Sequence, residues 1–324
     1  MTFNPDNTRL LIAYSFAQPD VPGELVQIRT LDWQLVSSVS LARLTPGLTR
    51  FTAKTDWILS AIPKACTGRE FAKETCWDIR GWDTTSGQPV DVLNRPDTDL
   101  YDLVISGNGQ WLLQIASLSS LTNFDPQPHG MSFSAGYFPD EDRRREFVAG
   151  ALSKQGDLVV LGIKDETRGG KFIAGWVKLL RWNGKTLEET GWNDGQWHIS
   201  PDLTANGAKV DNVPLRLTFD PTDRWLGAQT TNSIYLFDIP NMGRLRGSVK
   251  FGTARQGVLG FNSAGSLLAG GHLQGLKVLS ILGLKTVLER SDSEVTAVAF
   301  SHDGCLLAWG DAEGTVHIIN APRP

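Results

Sequence analysis

The sequence predicts an all-β protein made of repeated units of four short antiparallel strands. Residues 295 to 320 show the pattern most clearly, because three short strands are separated there by the turn sequences SHDG and DAEG. When Phe300 is taken as an anchor near the end of a first strand, comparable anchors recur every ~40–50 residues, with one longer interval before Phe219. The remaining anchors are Phe3, Phe51, Ile105, Leu152 and Phe261.

Two further positions repeat together with the anchors. An aliphatic residue stands seven positions after each anchor, as expected for an inward-facing position of the second strand. Four positions after the anchor, every unit but the second has Gly, Asn or Asp, which tolerate the left-handed backbone of a tight turn. We expect these aliphatic residues to be almost fully buried: Leu10, Ile58, Leu112, Val159, Leu226, Leu268 and Leu307.

A third strand is predicted by its ending, a large residue followed by a small polar or acidic one, and a fourth strand such as residues 35 to 41 follows it. The third unit lacks this ending, and residues 117 to 147 show no readable strand pattern. The endings are Leu31-Asp32, Trp82-Asp83, Trp182-Asn183, Phe237-Asp238, Leu279-Ser280 and Ile319-Asn320.

These units resemble the WD-repeat (Trp-Asp repeat) β-propeller family over essentially the whole chain. The resemblance rests on FNPDNTRLLIAY at 3 to 14, GWDTTSGQPV at 81 to 90, LTFDPTDRWLGAQTTNSIYLFD at 217 to 238, and AFSHDGCLLAWGDAEGTVHIIN at 299 to 320. The family's Gly-His dipeptide before each first strand is missing, so we expect packed apolar side chains to hold the blades. The resemblance implies one seven-bladed β-propeller of four-stranded antiparallel blades over residues 1 to 324, with blades beginning near 1, 49, 103, 148, 213, 257 and 296.

The way the ring closes is a separate expectation. Only Met1 and Thr2 precede the first anchor, and the sequence stops at Pro324, just after the third strand of the last unit. We expect blade seven to have three strands, and residues 295 to 320 to close the ring by packing against blade one.

Composition disfavours several classes of partner. A formal net charge of -4 gives no overall attraction to nucleic acid or to an anionic membrane. No apolar run approaches the ~18 to 20 residues of a membrane span, and no basic segment leads into an apolar one at the start, which favours a cytoplasmic location. Cys66 and Cys76 bracket one loop and are either a disulfide or two free thiols, whereas Cys305 is interpreted as a small core residue.

The sequence contains no recognisable reaction centre. The five histidines share no motif, and no nucleophile elbow, metal-binding pair or phosphate-binding loop precedes a helix. The glycines of TRGGK at 167 to 171 lie between two strands and are interpreted as a plain hairpin turn. We therefore expect no enzyme activity, cofactor or metal, and the resemblance implies a rigid platform for binding a protein partner, as a monomer or as part of a larger chain or complex.

The long loops are expected on one face of the ring. In a propeller the second-to-third-strand loops share a face with the connections to the next blade, and the long segments 15 to 24, 63 to 76, 164 to 175 and 191 to 212 are all of these types. Insertions on one face of a repeat array usually mark its binding face. The candidate partner-binding residues there are Phe16, Arg69, Phe71, Lys73, Arg168, Phe172, Trp192 and Trp197.

Two other functions remain open at this point. The chain could be the sensor domain of a larger signalling or defence protein. Alternatively, it could be a propeller hydrolase or lactonase with a metal in its central channel, which would require several inward-facing acidic, Asn or His residues.

Overall fold

A computed structural model describes fifteen stretches of the chain. They are residues 1–14, 23–41, 48–52, 56–65, 75–98, 100–116, 118–123, 130–134, 137–138, 143–167, 169–185, 187–189, 213–240, 244–291 and 293–324. The strands in these stretches form seven antiparallel sheets, which we number 1 to 7 in chain order. Strands that follow one another in sequence are neighbours within each sheet.

Sheets 1 to 4 contain the first seventeen strands. Sheet 1 is β1 (Thr2–Phe3), β2 (Arg9–Tyr14), β3 (Gly23–Arg29) and β4 (Leu35–Leu41). Sheet 2 is β5 (Thr49–Phe51), β6 (Trp57–Ala65), β7 (Thr75–Asp83) and β8 (Pro89–Thr98). Sheet 3 is β9 (Asp102–Ile105), β10 (Trp111–Ile115), β11 (Leu118–Asn123) and β12 (Gly130–Ser134). Sheet 4 is β13 (Tyr137–Phe138), β14 (Arg143–Leu152), β15 (Leu158–Thr167), β16 (Phe172–Trp182) and β17 (Leu187–Glu189).

Sheets 5 to 7 contain the remaining strands. Sheet 5 is β18 (Pro214–Phe219), β19 (Trp225–Thr230), β20 (Ser233–Asp238) and β21 (Arg244–Lys250). Sheet 6 is β22 (Leu259–Phe261), β23 (Leu267–His272), β24 (Gly275–Ser280) and β25 (Lys285–Arg290). Sheet 7 is β26 (Val295–Phe300), β27 (Leu306–Asp311) and β28 (Val316–Asn320), so three strands are described in it, as expected from the sequence.

The predicted repeat of anchor and aliphatic positions is confirmed in all seven sheets; the anchor lies on β14 in sheet 4 and at the end of the first strand in the others. Each anchor lies directly opposite the aliphatic residue that follows it by seven positions, as Phe3 lies opposite Leu10 and Phe219 opposite Leu226. All seven aliphatic residues are buried, with at most 2% of their surface exposed. The repeat pattern therefore located the core positions correctly.

The turn between these strands is closed in the same way in every sheet. In sheet 5 the backbone N–H of Asp220 donates to the carbonyl of Trp225 (2.9 Å), and the Trp225 N–H donates to Asp220 Oδ1 (2.6 Å). A Ser, Thr, Asn or Asp directly after each anchor provides this acceptor. This regularity is present in the sequence but was not among the repeated positions on which the prediction was based. The equivalent residues are Asn4, Thr52, Ser106, Ser153, Asn262 and Ser301.

Seven apolar clusters join the sheets into a closed ring. Six of these clusters lie between sheets that are consecutive in the chain, from sheets 1 and 2 through to sheets 6 and 7. The last cluster contains Phe3 and Leu10 of sheet 1 and Ala308 of sheet 7, so the first and last sheets are in contact. The expected closure by packing of the last unit on the first is confirmed.

Several expectations about individual segments were wrong. Residues 117 to 147 contain β11, β12 and β13 although their sequence showed no strand pattern. The third strand of sheet 1 ends at Arg29 and not at Leu31, whereas the predicted ending at Trp182 is confirmed in sheet 4. Cys305 is exposed, because it lies in the turn before β27 and not within the strand.

Candidate interaction surfaces

Hydrogen bonds between loops define two faces of the ring. On one face, second-to-third-strand turns bond to the connections between sheets, as in Ala254 N–H to Thr231 O (2.8 Å) and Leu273 N–H to Thr253 O (3.0 Å). We call this the loop face. On the opposite face, the plain face, third-to-fourth-strand turns bond to first-to-second-strand turns, as in Ile281 N–H to Ser266 O (2.9 Å). The second-to-third-strand turns and the connections between sheets thus lie on the same face, as expected from the sequence.

Sheet 4 extends further towards the loop face than sheets 5 and 6. Strands β15 and β16 have 10 and 11 residues, whereas β19 and β20 have 6 each. The extra residues lie at the loop-face end of the hairpin, because Leu158 pairs with Arg181 at the plain-face end. At ~3.3 Å per residue, four extra residues project about 13 Å beyond the shorter blades. We call residues 164–167 and 172–175 the sheet 4 arm.

Charged side chains in the arm are held by one another. The Lys164 ammonium contacts the Glu166 carboxylate and lies 3.9 Å from Glu146 Oε2. Glu166 and Asp165 are both buried. A buried carboxylate is costly unless it is paired or hydrogen-bonded, so the contact with Lys164 stabilises Glu166 in its buried position.

The turn at the tip of the arm is a tight hairpin. Gly170 has a φ of 80°, its N–H donates to Thr167 O (2.8 Å), and the Lys171 N–H donates to Thr167 Oγ1 (3.1 Å). This turn joins β15 directly to β16. The interpretation of TRGGK as a hairpin turn is confirmed.

Phe172 is the candidate partner-binding residue whose position can be stated. It begins β16, pairs with Glu166 across the hairpin, and is half-buried near the tip of the arm. Cys66 lies outside the described residues, so the Cys66–Cys76 alternatives stay open. The other candidates also lie outside the described residues: Phe16, Arg69, Phe71, Lys73, Arg168, Trp192 and Trp197.

A charge cluster around the buried Asp102 connects strands β5, β9, β14 and β18 of four sheets. Asp102 on β9 accepts hydrogen bonds from Arg50 Nη2 of sheet 2 (2.7 Å), Arg216 Nη1 of sheet 5 (3.3 Å) and the Gly150 N–H of sheet 4 (3.1 Å). Burial lowers the pKa of the Arg50 guanidinium to about 10, with a further lowering by Arg216 and an opposing effect of Asp102. Arg50 therefore stays protonated at neutral pH, and one carboxylate serves two cations.

The described residues contain neither a cluster of metal ligands nor a membrane-spanning helix. Within them, no group of three or more His, Cys, Asp or Glu side chains is placed to hold a metal ion. In the same residues, no helix has the length and hydropathy needed to cross a bilayer.

Comparison with known proteins identifies the fold. No protein-family model matches the sequence, and no curated protein matches it. The structure is similar to the crystal structure of the β-propeller domain of Cps50 (Swd1) from Myceliophteria thermophila, with a TM-score of 0.62 and 14% identity over 98% of this chain and 94% of that chain. The chain is thus an all-β β-propeller with four-stranded antiparallel blades; at this identity the similarity concerns the fold alone.

Proposed function

We propose that this chain is a non-catalytic, seven-bladed recognition propeller that binds a protein partner through its loop face. The observation that carries the proposal is the sheet 4 arm, which extends beyond the neighbouring blades on that face. Insertions confined to one face of a repeat array usually mark the binding face. A net charge of -4 supports a protein partner over a nucleic acid or an anionic membrane.

The count of seven blades treats sheet 7, in which three strands are described, as a blade. Two observations support this count. Sheet 7 has the same first-strand register as the other sheets, with Phe300 opposite Leu307. It also shares an apolar cluster with each of its neighbours, sheets 6 and 1.

The arm is suited to recognition because Lys164 and Glu166 within it are already paired. The Lys164–Glu166 contact and the tight turn at Gly170 hold the backbone in place before a partner arrives, which reduces the entropy lost on binding. Phe172 presents an aromatic side chain near the tip, and aromatic side chains dominate binding energy when they are desolvated at an interface centre. We propose Phe172 as a contact residue, together with the candidates that lie outside the described residues.

A binding experiment tests the loop face. The intact chain is used to capture partners from native extract, beside one variant that lacks residues 63 to 76 and another that lacks 191 to 212. The captured partner is then titrated against Phe71→Ala, Phe172→Ala and Trp197→Ala. We expect each alanine to weaken binding by roughly 1 to 3 kcal/mol, with little change in melting temperature for Phe71 and Trp197.

A matched control and the opposing outcome are available. Leu282 is 88% exposed in a turn on the plain face, so Leu282→Ala removes exposed apolar surface without touching the loop face. Its binding should equal that of the wild type. Equal capture by the wild-type and loop-deleted chains, with weakened binding for Leu282→Ala, would instead assign the partner to the plain face.

A further inference from the structure

The Asp102 carboxylate has no acceptor site left for a further donor. Its Oδ1 accepts from Arg50 Nη2 (2.7 Å), the Leu103 N–H (2.8 Å) and Arg216 Nη1 (3.3 Å), and its Oδ2 accepts from the Gly150 N–H (3.1 Å). A carboxylate offers about four lone-pair sites. Arg216 makes the longest of these four bonds and shares its acceptor oxygen with two other donors, so Asp102 compensates the Arg216 charge only in part.

This group of side chains lies on the inner side of the ring. Arg50, Asp102 and Arg216 belong to sheets 2, 3 and 5, yet both guanidiniums reach the same carboxylate oxygen. Side chains from sheets that are two and three places apart in a ring meet across its central channel. Water reaches the guanidiniums there, because 22% of the Arg216 side chain and 18% of the Arg50 side chain are exposed, compared with 6% for Asp102.

Arg216 has donors to spare at this place. A guanidinium carries five N–H groups, and within the described part of the chain the Arg216 side chain makes a single hydrogen bond, the one to Asp102. Burial lowers the pKa of the Arg50 guanidinium, and the nearby Arg216 lowers it further. The two cations thus repel each other, and a second anion beside Arg216 would relieve that repulsion.

The neighbours of Arg216 leave room for its side chain without binding its guanidinium. Gly257 lies in the connection between sheets 5 and 6, and a Cβ there would be only 2.3 Å from Arg216 Cβ. Gln229, opposite Arg216 on β19, is already bonded: its Nε2 donates to Gly271 O (2.8 Å), and its Oε1 accepts the Val258 N–H (2.8 Å). The guanidinium therefore extends away from these groups towards Asp102.

We propose that the central channel binds a small molecule through its carboxylate or phosphate group, which accepts the remaining N–H groups of Arg216. The planar guanidinium presents pairs of N–H groups that match two oxygens of such a group, and charge-assisted bonds of this kind are stronger than those between neutral groups. The partly buried position strengthens the attraction, because little water screens it. The ligand is a small molecule in the channel, so the inference does not rest on a protein partner at the loop face.

A purely structural role of Arg216 would have a different signature. If Arg216 were needed to neutralise Asp102, its removal would destabilise the fold. Arg50 and two backbone N–H groups already stabilise that carboxylate. We therefore expect Arg216→Met, in a buffer without carboxylate or phosphate, to melt within about 2 °C of the wild type. The loss should appear in anion binding instead.

Titration of the full chain with simple anions tests the inference. Isothermal titration calorimetry in a low-salt Tris buffer at neutral pH would compare inorganic phosphate, acetate and the neutral acetamide. We expect one phosphate to bind each chain with a Kd of about 1 mM or lower. Acetate should bind more weakly, because it carries one negative charge and phosphate carries about 1.5 to 2. Acetamide, which has the shape of acetate but no charge, should not bind.

Variants of Arg216 locate the site. Arg216→Met removes the charge and the donors, and should weaken phosphate binding by about tenfold or more. Arg216→Lys keeps the charge but loses the paired donors, so we expect binding to be about 3 to 10 times weaker than in the wild type. Arg255→Met is the matched control, because it removes one positive charge from a side chain that is 76% exposed. Its phosphate binding should equal that of the wild type.

Three results would overturn the inference. One is that neither phosphate nor acetate binds the wild-type chain at concentrations up to about 20 mM. Another is phosphate binding that is equal in the wild type and in Arg216→Met, or that weakens equally in Arg216→Met and Arg255→Met, since either result would place the anion elsewhere. The third is equal binding of acetate and acetamide, which would show that charge does not select the ligand.

Discussion

Asp223 and Asn7 occupy the same turn position in sheets 5 and 1, and each accepts a hydrogen bond from the preceding sheet. Asp223 (φ 58°) accepts from the Lys154 N–H at 2.9 and 3.1 Å, and Asn7 (φ 60°) accepts from the His302 N–H at 2.6 Å. Gly109, Gly156, Gly265 and Gly304 fit the same left-handed backbone without a side chain to offer. A non-glycine residue at this position therefore adds a bond between sheets.

Replacement of Asp223 by Asn should stabilise the protein slightly at neutral pH. Burial raises the pKa of the Asp223 carboxyl, against the lowering by the Lys154 N–H bond. A raised pKa means that this group favours folding below its unfolded-state pKa of ~3.9, a contribution lost as the pH rises through the folded-state pKa. Asn keeps the acceptor and remains neutral, so we expect a gain below about 1 kcal/mol at pH 7 and none near pH 3, measured by thermal unfolding.

The reciprocal change at the equivalent position is the control for this prediction. Asn7→Asp introduces a carboxylate where the wild type has a neutral acceptor. Relative to the wild type, Asn7→Asp should lower the melting temperature at pH 7 and change it little at pH 3. A loss of stability in both variants at both pH values would show that turn geometry, not charge, determines the effect.

His272 should make the fold sensitive to mild acid. Burial lowers the pKa of its imidazole, and the Lys277 ammonium lowers it further. Its Nδ1 accepts the Gln274 N–H at 3.2 Å, and its ring packs edge-on against Phe251. The neutral ring favours folding above its unfolded-state pKa of ~6.5, and this contribution is lost as the pH falls through the folded-state pKa.

A comparison of pH profiles tests this prediction. His272→Asn keeps an acceptor near the Nδ1 position and removes the titration. Its melting temperature should fall less between pH 7 and pH 5 than that of the wild type. His302→Asn changes an exposed histidine and should leave the profile as it is. Identical pH profiles for the wild type and His272→Asn would contradict the prediction that His272 makes the fold sensitive to mild acid.

At the scale of strands, the sequence predicted strand positions correctly where two neighbouring strands are joined by a short turn and their repeated residues are buried. The Phe219–Leu226 pair follows from residues seven positions apart on either side of one short turn, so burial and turn chemistry give the same answer. The predicted third-strand ending at Leu31 was wrong because a large apolar residue followed by an acidic one also occurs in this turn, where Leu31 is 88% exposed. Strand β11, LSSLTN, was missed because its two leucines are three positions apart and give no strand alternation, and β12, GMSFS, was missed because its alternation contains only two large apolar residues.

The buried second-strand positions should dominate the stability of each sheet. Leu226 is 2% exposed and packs between sheets 4 and 5, so Leu226→Ala should reduce the free energy of unfolding by about 2 to 5 kcal/mol. Leu282→Ala removes the same atoms from a side chain that is 88% exposed and should change it by less than about 0.5 kcal/mol. Denaturant unfolding measures both, and similar values for the two variants would contradict the core assignment.

At the scale of the whole molecule, the Arg50–Asp102–Arg216 cluster could not be predicted from the sequence. Asp102 lies 52 positions from Arg50 and 114 from Arg216, and they meet because the ring places the first strands of the sheets around one centre. The loop-face candidates were predicted from the sequence, but on weak grounds. Their location was inferred from loop length, which carries no information on how a long loop folds.

Removal of the Asp102 carboxylate should weaken the ring as a whole. Asp102→Ala takes away the acceptor that both guanidiniums contact in a buried place, and we expect a loss of about 3 to 5 kcal/mol in the free energy of unfolding. The control is Asp32→Ala, which breaks the exposed Arg29–Asp32 pair (3.1 Å) and should cost at most about 1 kcal/mol. Equal losses in calorimetry would show that the cluster has no special role.

The cluster of Phe3, Leu10 and Ala308 also has a consequence for synthesis on the ribosome. These residues are fully buried against one another, yet about 300 positions of chain separate the first two from the third. At 5 to 20 residues per second, the apolar side of the nascent first sheet waits about 15 to 60 s for its partner to emerge. We therefore expect chaperones to bind the growing chain during that interval, and its yield in a cell to depend on them as well as on the stability of the finished ring.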